Sequence, residues 1–313
     1  MNLAFADIET AARRIAPHAQ VTPVLRSRSL DELAGCRIAF KCENFQRAGA
    51  FKFRGACNAV WALADADAAH GVVTHSSGNH GAALALAAKT RGIAAHVVVP
   101  EGAVAAKVAA IRAYGATLHV CAPTLVAREE AAARIARETG AVLVHPFTNE
   151  QVIAGQGTAA LELLREAGEL DALIAPIGGG GLIGGSAIAA KGICPQIRVF
   201  AAEPEGAADA FESLRRGMRV TDIVPDTICD GLRATFGEIN FALLREYGVE
   251  VLPVSDAQTV AAMRLVYERL KIVIESSSAV VLAAILRHRE RFAGLRVGAI
   301  LSGGNVDLDH LPW

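Results

Sequence analysis

The sequence has no excess of either charge: 31 Lys and Arg against 32 Asp and Glu leave a formal net charge of −1. Nucleic acid or another polyanion is therefore not expected as a partner. Six cysteines, at 36, 42, 57, 121, 194 and 229, never form a C-x-x-C pair. That scatter argues against a zinc site and for free thiols in a reducing compartment. The first residues, MNLAFADIETAARRI, carry acids early. They lack the basic start and long apolar core of a secretory signal, so a cytoplasmic protein is expected. No repeat, low-complexity tract or long linker interrupts the chain. Its 313 residues, 52% hydrophobic, suffice for one large or two ordinary domains with ample core.

What the chain does have is glycine in unbroken runs. In DALIAPIGGGGLIGGSAIAAK, residues 171–191, an apolar run of strand length leads into Gly178, Gly179, Gly180 and Gly181. An apolar segment of small residues follows, as in a buried helix. Strand, glycine loop and helix together make a phosphate site. Glycine lets consecutive N–H groups turn toward one anion, and the helix start adds partial positive charge. No lysine or arginine stands in the loop, so backbone would do the binding. Residues 172–190 carry no charge, but six glycines and Pro176 argue against a membrane span. Residues 179–184 also fit G-x-G-x-x-G, with Glu203 about twenty residues further on. From this stretch alone, a dinucleotide and another phosphate ligand stay equally open.

Strand-like runs near 37–42, 71–75, 95–99, 117–121, 142–145, 173–177, 199–202, 250–254 and 297–301 alternate with alanine-rich helical segments. Such alternation implies an α/β fold with parallel-rich sheets covered by helices. The short connections predict two interleaved lobes with a site between them.

Three further features fall on this frame. Lys52 stands between Phe51 and Phe53 at the start of a helical segment. Apolar neighbours and a helix N-terminus both disfavour its ammonium, which suits a carbonyl-trapping amine. An ordinary surface lysine is the plain alternative. His75-Ser76-Ser77-Gly78-Asn79-His80-Gly81 again follows a strand and precedes a helix. Its hydroxyl, amide and imidazole groups suit a second anion such as a carboxylate, beyond the needs of one helix cap. Ser302-Gly303-Gly304-Asn305 follows the last strand. Loops at the carboxyl ends of parallel strands are where such sheets bind ligands.

Taken together the motifs resemble the fold-type II pyridoxal 5′-phosphate enzymes of tryptophan-synthase-β-like fold, closest to the serine racemase and serine/threonine dehydratase branch. The matching runs are F-K-x-R-G-A at 51–56, S-S-G-N-H-G at 76–81, H-P-F at 145–147, V-I-A-G-Q-G-T at 152–158, G-G-G-G-L at 178–182, A-E-P at 202–204 and S-G-G-N at 302–305. They stand in family order over almost the whole chain and decide against the dinucleotide. The resemblance implies that Lys52 carries the cofactor, beside Phe51, and that Gly178 to Gly181 and Leu182 bind its phosphate. Asn79 would meet its phenolic oxygen, and Ser302 its ring nitrogen. Ser76, Ser77, Asn79 and His80 would hold the substrate α-carboxylate, with Ser77 the acid/base opposite Lys52. Arg128 occupies a position resembling one that approaches a substrate's distal group. Glu203, the carbonyl of Ala207 and Asp209 resemble the ligands of a divalent-cation site for Mg²⁺ or Mn²⁺, or else Ca²⁺.

The resemblance also implies a large cofactor-binding domain of residues 1–66 and 147–313, a small mobile domain of 67–146, and a homodimer. The expected activity is β-elimination from L-serine, L-threonine or 3-hydroxyaspartate. Racemisation by Lys52 and Ser77 is the alternative, and a binding protein without catalysis the remote one. Ala50, where many relatives carry a hydroxyl, and Glu275-Ser276-Ser277-Ser278 depart from the pattern. They leave substrate identity more open than cofactor identity.

Overall fold

The computed structural model describes residues 3–103 and 105–313. Its strands are β1 (Val24–Leu25), β2 (Arg37–Cys42), β3 (Val72–Thr74), β4 (Ala95–Pro100), β5 (Thr117–Cys121), β6 (Val142–Leu143), β7 (Ala172–Pro176), β8 (Arg198–Pro204), β9 (Glu250–Val254) and β10 (Arg296–Leu301). They form a six-stranded sheet in the order β1-β2-β10-β7-β8-β9 and a four-stranded sheet in the order β5-β4-β3-β6. Only the β1–β2 pair is antiparallel. The chain therefore has an α/β fold of one mixed and one parallel sheet. Its central strand β7 is buried at every position, as a sheet covered on both faces requires.

The chain enters the larger sheet, leaves it after β2 to build the smaller one, and returns at β7. Cores largely follow this path, but Ile15, Val152 and one whole helix cross it. The helix Lys52–Ala62 drives Phe53, Ala56, Cys57 and Val60 into the cluster that holds Val72, Val97 and Leu84 of the smaller lobe. The same helix also buries Arg54 against the larger lobe, through Glu43 and Glu162. Lys52 at its N-terminus is thereby fixed between the two.

Most of the strands expected from pattern appear within a residue or two of their bounds. The run expected at 142–145 ends at Leu143, because His145 turns into a loop and its Nδ1 accepts the N–H groups of Phe147 and Thr148. Pattern missed β1 and the helices Arg28–Ala34, Asp209–Arg216 and Glu238–Glu246. Among the described residues no helix is long and apolar enough to cross a membrane.

Candidate active site

Lys52 begins its helix half-buried, with Nζ 3.0 Å from the carbonyl oxygen of Pro146 and 5.1 Å from the centre of the Phe51 ring. Burial pulls the amine down to about 8, against the opposing field of Glu275. A lysine in this state supplies free amine near neutral pH. Phe51 N–H donates to the carbonyl of Ser302 at 2.9 Å, and Ala50 bridges to Gly303. The lysine turn is thus tied to the loop after β10.

The glycine run leaves β7 and enters the helix Gly181–Ile193, whose start has no side-chain cap. Its first N–H groups stay open to an anion. Side chains are excluded here by contact. A Cβ at Gly179 would lie 2.3 Å from the Phe147 ring, and one at Gly180 2.6 Å from Asn240. Gly180 also has φ +93, the left-handed region that favours glycine. Asn240 Nδ2 donates to the carbonyls of Phe147 (2.9 Å) and Gly179 (2.7 Å). The Pro146-Phe147 segment therefore touches both Lys52 and the glycine loop.

The Ser76–Gly81 loop starts the helix Asn79–Arg91. Ser76 and Ser77 are half-buried, and among the described residues the Ser77 hydroxyl makes no hydrogen bond to protein. Asn79 Nδ2 donates to both oxygens of Glu275 at 3.0 and 3.1 Å, and its Oδ1 accepts from Asn305 at 3.0 Å. His80 departs from expectation. Its ring is buried, with Nε2 3.3 Å from the carbonyl of Val144 and Nδ1 unpartnered. Burial holds that ring well below its ordinary pKa. Its imidazole faces the interior, so only its backbone N–H is placed for the loop. Ser302 is buried, with Oγ 3.1 Å from Oγ of Ser278.

Glu275 was not foreseen as part of this site. It is buried, stands at the N-cap position of the helix Ser276–Arg287 without a side-chain bond to that helix, and is pushed above its ordinary pKa by burial. In the sequence it looked like one acid before three serines. Its partner Asn79 is distant along the chain, which no local pattern reveals. Arg128 lies on the helix Leu125–Thr139, with Nε 3.4 Å from the carbonyl of Thr124. Its charge, added to burial, lowers His75. The arginine is therefore near the site, on the small-lobe side.

Glu203 at the end of β8 and Asp209 at the start of the next helix lie close enough for one to act on the other. The Glu203 carboxylate accepts the N–H groups of Ala210 (2.9 Å) and Phe211 (2.8 Å), capping the helix that Asp209 opens. Asp209 accepts the N–H of Phe236 at 2.6 Å. The Glu203 carboxylate is thus buried at the start of a helix inside the lobe, not presented to a ribose. Burial raises both acids, Asp209 to about 6, and Asp209 raises Glu203 further. Glu203 and Asp209 keep further lone pairs beside the turn at Ala207, and among the described residues no cation pairs with them; such hard oxygen donors fit a divalent ion.

A desolvated lysine tied to a loop opposite an uncapped glycine turn defines a site for a carbonyl cofactor bearing a phosphate. Residues 15–303 match the family described as "Pyridoxal-phosphate dependent enzyme", and the chain belongs to it. It is similar to a beta-hydroxyaspartate dehydratase of Paracoccus denitrificans, at 48% identity over 99% of this chain and 98% of the relative. It is also similar to an L-threo-3-hydroxyaspartate ammonia-lyase of Saccharomyces cerevisiae, at 46% identity over 97% and 94%. Among solved structures, that of maize serine racemase superposes with a TM-score of 0.96 at 46% identity, covering 99% of this chain and 95% of that one. The dinucleotide alternative falls with these findings.

Proposed function

We propose that the chain holds pyridoxal phosphate on Lys52 and converts a small β-hydroxy amino acid to a 2-oxo acid and ammonia, with 3-hydroxyaspartate the preferred substrate. The observation that carries this is Lys52 itself, half-buried, depressed to about 8, and tied through Pro146-Phe147 to the glycine loop. When bound, the cofactor supplies an electron sink for negative charge at the substrate α-carbon. Backbone N–H groups of Gly178 to Gly181 and Leu182 hold its phosphate. Asn79, Phe51 and the uncharged Ser302 hydroxyl would hold its ring and would supply no counter-charge. Without a counter-charge the sink that the cofactor supplies would be mild, which would favour loss of the β-hydroxyl as water. Lys52 Nζ takes the α-proton as general base. Ser76, Ser77, Asn79 and the His80 backbone hold the α-carboxylate. Arg128 meets the distal group, and the activities named for the Paracoccus and yeast relatives support an acidic one.

Racemisation is the second reading, favoured by the half-buried Ser77 hydroxyl, which among the described residues no protein group engages. Ser77 would return the proton to the face opposite Lys52. We further propose that residues 67–146 move as a small domain against 1–66 and 147–313, that the protein is a cytoplasmic homodimer, and that Mg²⁺ or Mn²⁺ binds Glu203, Asp209 and the Ala207 carbonyl. The test is a panel of L-serine, L-threonine, D-serine and the 3-hydroxyaspartates, read for both 2-oxo acid and D-enantiomer. Highest turnover to 2-oxo acid on a 3-hydroxyaspartate supports the reading. Racemisation exceeding 2-oxo acid formation on every substrate overturns it.

A further inference from the structure

Three side chains beside the site remain without a part in this chemistry. Ring nitrogens of His75 and His145 and a carboxylate oxygen of Glu129 lie within 4.8 Å of one another. They come from three elements: the end of β3, the loop after β6, and the exposed face of the helix Leu125–Thr139. His75 is 5% exposed, and its Nε2 is buried without a partner. The His75 and His145 rings pack edge to face at 5.0 Å, and His145 packs on Phe147 in the same way at 4.6 Å.

The arrangement looks at first like a metal site, but one hydrogen-bond pattern opposes that. His145 Nδ1 accepts from the N–H groups of Phe147 and Thr148, at 3.4 and 3.2 Å. The proton of the neutral ring must then sit on Nε2. A metal at Nε2 would have to displace it and leave an imidazolate, whereas a carboxylate accepts it as it stands. Burial, His75 and Lys52 hold His145 down at about 4, so the ring is a neutral donor at working pH. Arg128 and Lys52 both send positive field into the pair. Glu129 is exposed, and among the described residues its side chain makes no hydrogen bond or ion pair, yet it lies against this pair.

We propose that His75 and His145, with Arg128, form the subsite for the distal carboxylate of an acidic substrate, and that Glu129 is the internal carboxylate such a substrate displaces. This rests on the reading of the substrate as acidic. Nε2–H of His145 donates to the arriving carboxylate, and His75 gives a second donor when its proton is on Nε2. Glu129 swings back to solvent, where its charge costs nothing to hydrate. The competing internal carboxylate weakens binding of acidic substrates and leaves monocarboxylates untouched, so Glu129 sets specificity without touching the reacting atoms.

The test measures binding to the holoenzyme by thermal shift, with succinate and butyrate as four-carbon probes that differ by one carboxylate. Wild type should bind succinate more tightly than butyrate. Glu129→Gln should tighten succinate by about two- to tenfold, the span of one partly exposed charge contact, and leave butyrate within about twofold. His145→Phe, which keeps a ring on Phe147 but removes the donor, should reduce the preference for succinate severalfold and leave the remainder to Arg128. A Glu129→Gln protein whose succinate-to-butyrate ratio is unchanged or lower overturns the proposal. So does a rise in melting temperature with Zn²⁺ that Glu129→Gln removes, for the cluster would then be a metal site. If instead 3-hydroxyaspartate proves a poor substrate while both probe results hold, the substrate reading fails and the subsite stands.

Discussion

Two groups of buried charge lie in the larger lobe, and the protein treats them differently. Around Arg54, cation and anion are matched. Arg54 and Lys41 are fully buried, and each pairs with Glu162 at 2.7 Å, while Glu43 takes the other side of the Arg54 fork at 2.7 Å. Thr22 adds a hydroxyl to Glu43 at 2.5 Å. Around Glu203, two acids meet no cation, and their partners among the described residues are backbone N–H groups. A charge that the fold pairs itself is scaffold, because it asks for nothing further. A charge desolvated without a counter-ion is costly and persists where something else arrives to answer it. Lys52 is nearer the second kind, since burial outweighs the field of Glu275 and lowers it to about 8.

The sharpest break of this comparison is Lys52→Ala. It should lower turnover by several orders of magnitude and remove the cofactor's visible absorbance, while melting temperature without cofactor holds or rises. Near-normal turnover without added amine would sink the assignment. Arg54→Met should do the reverse. Removing one partner of a buried pair costs about 3–5 kcal/mol, so the protein should lose much of its stability in denaturant titration. Arg54→Lys should recover part of it, because a point charge cannot serve Glu43 and Glu162 with the same planar fork. An Arg54→Met protein as stable as wild type would show that this network is not scaffold.

What was legible in the sequence divides along the same line. The glycine loop is a local device, a strand, four glycines and a helix, and it could be read without tertiary knowledge. Lys52 was legible because its desolvation begins with its neighbours Phe51 and Phe53. Arg54, two residues on, gave no such sign, since its partners Glu43 and Glu162 come from other elements. The helix Asp209–Arg216 escaped for a related reason. Its cap is not an adjacent serine or asparagine but Glu203, whose oxygens reach the N–H groups of Ala210 and Phe211 from the end of β8. His80 shows the converse case. A histidine beside two serines and an asparagine reads as a donor, but helix periodicity turns its ring toward Val144.

Arg128→Ala tests how far the unpaired-charge logic extends toward the substrate. A charge-assisted hydrogen bond is worth about 1.5–3 kcal/mol, so kcat/KM on 3-hydroxyaspartate should fall roughly ten- to hundredfold. The fall on L-serine should be much smaller. A flat response across both substrates removes the distal-carboxylate role of Arg128.

The smallest effect expected is also the most direct reading of the Glu203–Asp209 pair. Burial puts Asp209 at about 6 and raises Glu203 above its ordinary value, both higher than in the unfolded chain. The folded protein therefore binds more protons than the unfolded one across the interval from about 4 to 6. Without a divalent ion, stability should be fullest below that interval and fall as pH rises through it, by a few degrees of melting temperature. A bound cation favours the charged carboxylates and should cancel the fall. In chelator-treated protein the melting temperature should thus decline from about pH 4 to 6. Mg²⁺ or Mn²⁺ should restore it most at the upper end, with turnover rising alongside. Glu203→Gln combined with Asp209→Asn should flatten the pH slope and abolish the response to the ion together. An ion response that survives in the double variant places the cation elsewhere. A pH slope that survives there assigns the extra protons to other buried groups, such as Glu275, itself raised by burial.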